Sequence, residues 1–163
     1  MIADIHDYSP GDGPEVQELN RANEPDVGPL DDTRLEVLTS EALLVRVVRV
    51  DTQLVGALFV LAEGGIYGSP NYRWFGERHG RFAYVDRIML APAARGLGLG
   101  PRLYDEASTA ARQAGKPVLC AEVNTVPAND RSFRFHELYG FREVARQRPY
   151  GGDEEVAMFE LHL

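Results

Sequence analysis

The chain contains a glycine-rich stretch that reads Leu90-Ala-Pro-Ala-Ala-Arg95-Gly-Leu-Gly-Leu-Gly100-Pro-Arg-Leu103. It follows an apolar run typical of a strand and precedes a run typical of an amphipathic helix. Glycines at alternate positions let the backbone turn tightly and approach a ligand without an intervening Cβ. Their amides, with the free N–H groups of the first helical turn, can form an anion site. Because Arg95 and Arg102 add positive charge, the stretch predicts a phosphate-binding loop.

Two common nucleotide-binding motifs do not fit this loop. A Walker A loop needs Gly-Lys-Ser/Thr, whereas Gly100 is followed by Pro-Arg. The dinucleotide motif G-x-G-x-x-G fails because Leu103 stands where the third glycine from Gly98 should be. The stretch therefore either binds a different phosphate ligand or is a glycine-rich turn without a ligand.

Length and composition favour one domain that covers residues 1–163. The chain is 44% hydrophobic and 26% charged, which is typical of a folded domain with a single core. No apolar run approaches the roughly 20 residues that span a bilayer, and the acidic N-terminal segment does not resemble a signal peptide. We therefore expect no membrane partner. The single cysteine, Cys120, suits the reducing cytoplasm, and its apolar surroundings favour a packed residue over a nucleophile.

The charge is divided unevenly along the chain. The net charge of −8 disfavours nucleic acid as a partner. Residues 1–64 hold 13 Asp and Glu against 4 Arg, a net −9, whereas residues 65–163 hold 12 against 13 Arg and Lys, a net +1. A polyanionic ligand should therefore bind the second part, and the first part would tolerate an amine. A solvated acidic surface explains the first part equally well.

Periodicity and turn residues predict the element order β-α-α-β-β-β-α-β-α-β-β, a mixed sheet flanked by helices. Residues 63–80, rich in glycine, are predicted to form a long loop of the kind that often carries function. The predicted strands cover residues 2–6, 43–50, 54–62, 82–90, 117–124, 141–147 and 154–163. The predicted helices cover residues 14–23, a short segment capped by Asp31 or Asp32, residues 99–114 and residues 129–139.

Three segments resemble the GCN5-related N-acetyltransferase (GNAT) superfamily. Its signature, Arg/Gln-x-x-Gly-x-Gly/Ala, matches Arg95 to Gly100 at every fixed position. The strand Tyr84-Val-Asp-Arg-Ile-Met-Leu-Ala-Pro92 and the segment from Asn129 to Phe141 match neighbouring motifs. The resemblance implies an α/β fold whose mixed, splayed, mostly antiparallel sheet has six or seven strands and about four flanking helices. Residues 69–75 resemble a bacterial subgroup of uncharacterised acetyltransferases.

The resemblance also implies the ligand of the loop, acetyl-CoA, with no metal ion. The backbone of the fourth strand would bind the pantetheine arm as an added strand does, and the loop would bind the pyrophosphate. Asn124 and Asn129 would lie along a slot between the splayed fourth and fifth strands, although Asn129 equally fits a helix N-cap. The implied cofactor-binding residues are Met89, Leu90, Arg95, Gly96, Leu97, Gly98, Leu99, Gly100, Asn124 and Asn129.

Acetyl transfer from a thioester to an amine benefits from an acid that protonates the departing thiolate. Most family members place a tyrosine four residues before the Gly-Phe pair, but this chain has His136 there and Tyr139 directly before Gly140. His136 lies seven residues, about two helical turns, after Asn129, so the two share one face. Tyr139 is rotated by roughly 80° from that face. His136 is the preferred candidate acid and Tyr139 the second, while binding or packing roles remain alternatives.

The amine must also lose a proton, and the resemblance points to Asp86 on the fourth strand as the candidate base. Strand alternation predicts Asp86, Ile88 and Leu90 on one face and Arg87 on the other. An ion pair, perhaps with an arginine of the long loop, is the structural alternative for Asp86. Glu122 on the fifth strand is a weaker candidate, and proton loss through water would need no base.

The acceptor is predicted to be the primary amine of a small or amino-acid-like molecule. Within the long loop, Tyr67, Tyr72, Arg73 and Trp74 are the candidate substrate-binding residues, with Arg73 suited to a carboxylate. Aromatic packing that merely pins the loop is the alternative. Other functions left open are acetylation of a protein N-terminus or lysine and a non-catalytic acyl-CoA-binding module. A homodimer formed through an exposed strand is a further possibility.

Overall fold

A seven-stranded sheet runs through residues 2–163, the part of the chain that the computed structural model describes. Its strands are β1 (Ala3–Asp7), β2 (Ala42–Val50), β3 (Gln53–Ala62), β4 (Ala83–Leu90), β5 (Val118–Val126), β6 (Arg142–Gln147) and β7 (Glu155–His162). The helices are α1 (Gly13–Ala22), α2 (Asp32–Glu41), α3 (Pro70–Arg78), α4 (Leu99–Gln113) and α5 (Asp130–Tyr139). The spatial order is β1-β2-β3-β4-β5-β7-β6, and every neighbouring pair is antiparallel except β4 with β5. The expected mixed, mostly antiparallel α/β sheet is confirmed, with seven strands and five helices.

Residues 2–163 contain one helix more than the sequence predicted. Helix α3 lies within residues 63–80, which were predicted to form a continuous loop. Ser69 caps the helix, because its side chain accepts a hydrogen bond from the backbone N–H of Tyr72, and Pro70 occupies the first turn. Tyr72 and Phe75 are buried on its inner face. The glycines on either side of residues 69–75 masked this short apolar spacing in the sequence.

Two buried clusters cover the two faces of the sheet, because neighbouring strand residues alternate between them. One cluster includes Val47, Phe59 and Tyr84 and packs against α1, α2 and α3. The other includes Val48 and Leu58 and packs against α4. No helix within residues 2–163 has the length and apolar character needed to cross a bilayer.

A slot opens where β4 and β5 separate. Within residues 2–163 these strands pair only at Ala83 with Leu119 and at Tyr84 with Cys120. Beyond these two pairs, the edge of β4 that faces β5 has no strand neighbour in the described chain. The splayed sheet that the sequence led us to expect is therefore present.

A β-bulge in β4 corrects the predicted alternation of side chains. The register with β3 shifts from Phe59 opposite Arg87 to Val60 opposite Val85, which leaves Asp86 as the extra residue. As a result, Asp86 and Arg87 do not lie on opposite faces but form one ion pair, with 2.7 Å between Oδ2 and Nε.

Candidate active site

A cavity of about 710 Å³ occupies the slot between β4 and β5. One end is walled by the glycine loop and the first turns of α4 and α5. The remaining wall, here called the acceptor end, is formed by parts of residues 67–71 and 149–154 together with Arg34 from α2. Residues 23–28 also line the cavity and reach the glycine loop, since Asn23 Oδ1 accepts from Arg95 Nη2 at 3.4 Å. The fold thus brings the predicted phosphate loop and Tyr67, one of the predicted acceptor residues, into the wall of one continuous space.

The glycine loop has the backbone conformation that its sequence suggests. Gly96 and Gly98 have φ angles of +79° and +75°, a region that residues with a Cβ rarely adopt. Gly98 is also the N-cap of α4 and offers no side chain to the N–H groups of the first turn, which leaves them for a ligand. A Cβ on Gly100 would come within 3.2 Å of the Phe135 ring, so glycine there permits the close approach of α4 and α5.

Two guanidinium groups meet at this end of the cavity, those of Arg95 and Arg131. Burial, and after it the nearby charge of Arg131, lower the pKa of Arg95. Neither group forms an ion pair with a carboxylate of residues 2–163. Two neighbouring cations beside free backbone amides are favourable when an anion lies between them, so the residues present fit a pyrophosphate-bearing cofactor.

The predicted cofactor residues are largely brought together, with some exceptions. Met89 is buried in the core, and the half-exposed Leu97 also lies outside the cavity wall. Asn129 caps α5 and accepts a hydrogen bond from the backbone N–H of Ser132, while still facing the cavity. Arg102 is not in the wall and lines a separate surface depression near β1. The cavity-lining residues of the predicted set are Leu90, Arg95, Gly96, Gly98, Leu99, Gly100, Asn124 and Asn129.

His136 lines the cavity but is not built as a proton donor. Its Nδ1 lies 2.7 Å from the carbonyl oxygen of Ser132, and its Nε2 lies 2.6 Å from the Tyr104 hydroxyl. Burial lowers the pKa of His136 to about 4, so the ring is neutral near pH 7. A neutral ring that donates from Nδ1 must accept at Nε2, and the Tyr104 hydroxyl is then the donor. Tyr104, which sequence reasoning missed, also lines the cavity.

Tyr139 lies away from the cavity wall. Its hydroxyl donates to Asp105 Oδ1 at 2.7 Å, on the side of α5 that faces α4. The predicted rotation of Tyr139 from the face of Asn129 accounts for this position. The role of Tyr139 as the second candidate acid stays a prediction, with its side chain outside the cavity wall.

Glu122 is an ionisable group of the slot whose pKa lies near neutral pH. The Tyr84 hydroxyl lies 2.7 and 2.8 Å from the two carboxylate oxygens, and Asn71 adds a second hydrogen bond. Burial nevertheless outweighs these contacts and raises the pKa of Glu122 to about 8. Such a perturbed carboxyl in a cavity wall is typical of a functional group.

Asp86 also lines the cavity, but its charge is already neutralised. The side chains of Asp86 and Arg87 are each 4% exposed and form the ion pair across the bulge. Arg87 continues the network by donating to Asn20 Oδ1 at 2.7 Å and to the Gly28 carbonyl at 3.0 Å. The ion-pair interpretation of Asp86 thus holds, with its sequence neighbour rather than a loop arginine as partner.

Of the four predicted acceptor residues, only Tyr67 lines the cavity. The Tyr72 hydroxyl is tied to the backbone of Ala62 and Gly65, and Trp74 packs edge-on against Phe75. Arg73 is exposed and absent from the wall. These three residues pin and solubilise α3 instead of framing the entrance.

Comparison with known proteins gives a consistent result. Residues 14–141 match the family model described as the acetyltransferase (GNAT) family. The fold is similar to that of Ard1 from Thermoplasma volcanium, with 19% identity, 100% and 99% of the two chains covered and a TM-score of 0.81. It is also similar to the ribosomal-protein-S18-alanine N-acetyltransferase from Escherichia coli, with 16% identity, 99% and 94% covered and a TM-score of 0.76. A third similar structure is yncA, a putative acetyltransferase from Salmonella typhimurium with its cofactor acetyl-CoA, with 20% identity, 98% and 93% covered and a TM-score of 0.73.

Proposed function

Because the chain belongs to the acetyltransferase (GNAT) family and is an enzyme that uses acetyl-CoA, we propose that it acetylates the primary amine of a small or amino-acid-like molecule by direct attack. One observation carries the proposal: Glu122, a carboxyl poised near neutral pH, lies in the same cavity as the phosphate loop. A cytoplasmic location and a homodimer formed through an edge strand stay predictions of the sequence.

The cofactor end of the cavity determines how the donor is held. When bound, acetyl-CoA supplies a thioester whose acyl carbon accepts the amine. Arg95, Arg131 and the free amides that begin α4 would bind the pyrophosphate. The edge of β4 without a strand neighbour would offer backbone groups to the pantetheine arm, with the Leu90 carbonyl released by the Asn23 side chain, which donates to it at 3.2 Å. The bulge at Asp86 turns backbone groups of β4 away from β3, and one of these N–H groups is the candidate that polarises the thioester carbonyl.

Glu122 replaces Asp86 as the proposed base. An alkylammonium such as that of lysine has a pKa near ~10 and must lose a proton before it can attack. A carboxylate whose pKa is about 8 accepts that proton far more readily than one with an ordinary value. Tyr84 and Asn71 hold the carboxyl in place, whereas the charge of Asp86 is committed to Arg87.

Tyr104 replaces His136 as the proposed proton donor to the thiolate. The Tyr104 hydroxyl carries one proton, which points to His136 Nε2 in the resting enzyme. His136 holds the hydroxyl of Tyr104 beside the slot, and rotation of the hydroxyl would let its proton pass to the departing thiolate. Because burial raises the pKa of Tyr104, the phenolate left behind would take a proton back from water in the opened slot. The backbone bond to Ser132 keeps His136 in the tautomer that accepts.

The lining of the cavity supports a small acceptor over a protein. Parts of three separate segments, residues 23–28, 67–71 and 149–154, contribute to one cavity wall, as expected for a pocket that takes a small molecule. Trp74, one of the predicted substrate-binding residues, takes no part in this wall. A protein N-terminus or lysine is the alternative acceptor.

The direct experiment measures thiol release from acetyl-CoA across amines, amino acids and peptides. We expect turnover with small amines and little with peptides. Tight CoA binding without turnover on the whole panel would overturn the proposal, and turnover with peptides alone would favour the protein acceptor.

A companion experiment tests the phosphate loop by calorimetric CoA affinity. Gly98→Glu puts a negative charge on the loop and should abolish binding, whereas Gly98→Asn, which tolerates the same positive φ, should retain most of it. Gly11→Glu at an open surface position is the control for added charge. Wild-type CoA affinity in Gly98→Glu would refute the assignment of the loop.

A further inference from the structure

Arg34, in the first turn of α2, lies at the acceptor end of the cavity. Its Nη1 donates to the Tyr67 hydroxyl at 3.2 Å, and its guanidinium carbon lies 5.5 Å from the centroid of the Tyr67 ring. These contacts fix the direction of the guanidinium group without neutralising its charge. No carboxylate among residues 2–163 forms an ion pair with it.

The two aspartates beside Arg34 are engaged elsewhere. Asp31 caps α2 by accepting from the backbone N–H of Arg34 at 2.8 Å, and Asp32 accepts from the Gln17 side chain at 2.8 Å. The first turn of a helix is also the end at which the dipole disfavours a cation. Apart from Tyr67, no side chain of residues 2–163 holds this guanidinium group, which is exposed and therefore open to a ligand from solution.

The other cations of the cavity have different tasks. Arg87 neutralises Asp86, and Arg95 and Arg131 lie together at the glycine loop. This leaves Arg34 as the cation with free hydrogen-bonding capacity at the acceptor end of the described cavity wall.

We propose that Arg34 binds a carboxylate of the acceptor, so that the substrate is an amine that also carries a carboxylate group. The assignment deepens the proposed function and rests on it. Guanidinium groups match the planar geometry of a carboxylate and bind it through two parallel hydrogen bonds. In this arrangement Arg34 determines specificity, and it acts on binding instead of on proton transfer at Glu122.

Tyr67 links this subsite to the interior of the slot. Its hydroxyl accepts from Arg34 on one side and lies close to Asp86 on the other. Burial, and then the charge of Asp86, raise the pKa of Tyr67, so the hydroxyl stays protonated at any working pH. The row of contacts from Arg34 through Tyr67 to Asp86 leads toward Glu122, the proposed acceptor of the amine proton, whose pKa the nearby charge of Asp86 also raises.

The test compares matched acceptors, each an amino acid and the amide in which its carboxylate is replaced by a carboxamide. A hydrogen bond to a charged group contributes about 1.5 to 3 kcal/mol, so wild-type kcat/KM should favour the acid by roughly 10- to 100-fold. Arg34→Gln should abolish this preference by raising KM for the acid, with kcat retained. Arg34→Lys, which keeps the charge but loses the planar fork, should fall between the two.

Arg73→Gln is the matched control, because Arg73 is an exposed arginine outside the cavity wall. It should leave both acceptors unchanged. Equal turnover of acid and amide by the wild-type enzyme, or a preference that survives Arg34→Gln, would overturn the assignment of Arg34.

Calorimetric binding of each acceptor in the presence of CoA separates this failure from failure of the proposed function. Selective binding of the acid without turnover would contradict the function alone. Turnover without any acid preference would contradict the carboxylate subsite alone.

Discussion

The hydroxyl of Tyr104 on α4 lies 2.6 Å from Nε2 of His136 on α5, and Nδ1 of the same ring donates to the carbonyl oxygen of Ser132. With Nδ1 donating, Nε2 of His136 can only accept, and the hydroxyl of Tyr104 is its donor. The proton that can reach the slot from this pair therefore belongs to Tyr104.

Tyr104→Phe removes that proton while preserving the shape of the ring. We expect kcat to fall by roughly 100-fold, the lower end of what general acid catalysis contributes, with CoA affinity unchanged. Loss of the partner of His136 Nε2 should also lower the free energy of unfolding by about 1 to 3 kcal/mol. Tyr139→Phe is the control, since that hydroxyl bonds Asp105 outside the cavity wall. Equal kcat values for Tyr104→Phe and wild type would assign this pair to structure alone.

His136 predicts an acid-sensitive fold. The folded-state pKa is about 4, below the unfolded value near 6.5, so the unfolded chain gains a proton first as pH falls. Stability from this residue is complete above pH 6.5 and is lost toward pH 4. Between pH 7 and pH 5 the wild-type protein should lose about 2 kcal/mol in denaturant unfolding through His136. His136→Gln should lack this part of the loss, and an identical pH dependence in the variant would contradict the neutral buried ring.

Glu122→Gln tests the proposed base. Because the carboxyl must be ionised to accept a proton, wild-type kcat/KM should rise with pH up to about 8. The glutamine variant should be roughly 100-fold slower and should lack this inflection. An alkylamine acceptor, whose pKa is about 10, keeps the amine's own ionisation well above this inflection and still requires a base. An inflection near pH 8 that persists in the variant would show that a group other than Glu122 titrates there.

Glu122→Gln should also change the stability of the fold, with a pH dependence opposite to the one predicted for His136. Glu122 has a raised pKa in the folded state, so its ionisation destabilises the fold as pH rises from about 4.5 toward 8. Glu122→Gln should therefore raise the melting temperature at pH 9 relative to wild type and have little effect at pH 5. A larger gain at pH 5 than at pH 9 would reverse the sign of the inferred shift.

Arg131→Gln tests the cation that sequence reasoning overlooked. Removal of one charge-assisted contact should weaken CoA binding about tenfold and make it less sensitive to salt. Arg134→Gln, at an exposed position on the same helix but outside the cavity wall, is the control and should leave affinity unchanged. Indistinguishable CoA affinities for the two variants would remove Arg131 from the phosphate site.

The features that could be predicted from sequence are those encoded in one contiguous stretch. The loop from Arg95 to Gly100 combines its cation, its positive-φ glycines and the start of a helix within six residues, and the structure keeps that combination. Outside residues 63–80, and apart from the end of α2, for which no boundary was predicted, the predicted strand and helix bounds agree with the structure to within two residues, because each element carries its own periodicity.

The features that could not be predicted depend on contacts between distant segments. Arg34 meets Tyr67 because α2 lies beside the loop that precedes α3, and Tyr104 meets His136 because α4 and α5 are adjacent. The bulge at Asp86 is a property of pairing with β3 and leaves no local signal in an alternating strand.

The short contact between β4 and β5 also has a mechanical consequence. The strands β1 to β4 and the strands β5 to β7 form two halves of the sheet, which the described chain joins through only two residue pairs. Helix α4 packs on strands of both halves, and its first turn follows the phosphate loop. A molecule bound in the slot would contact both halves and the start of α4 at once, so it would restrict motion of the two halves relative to each other without changing the pairing within either half.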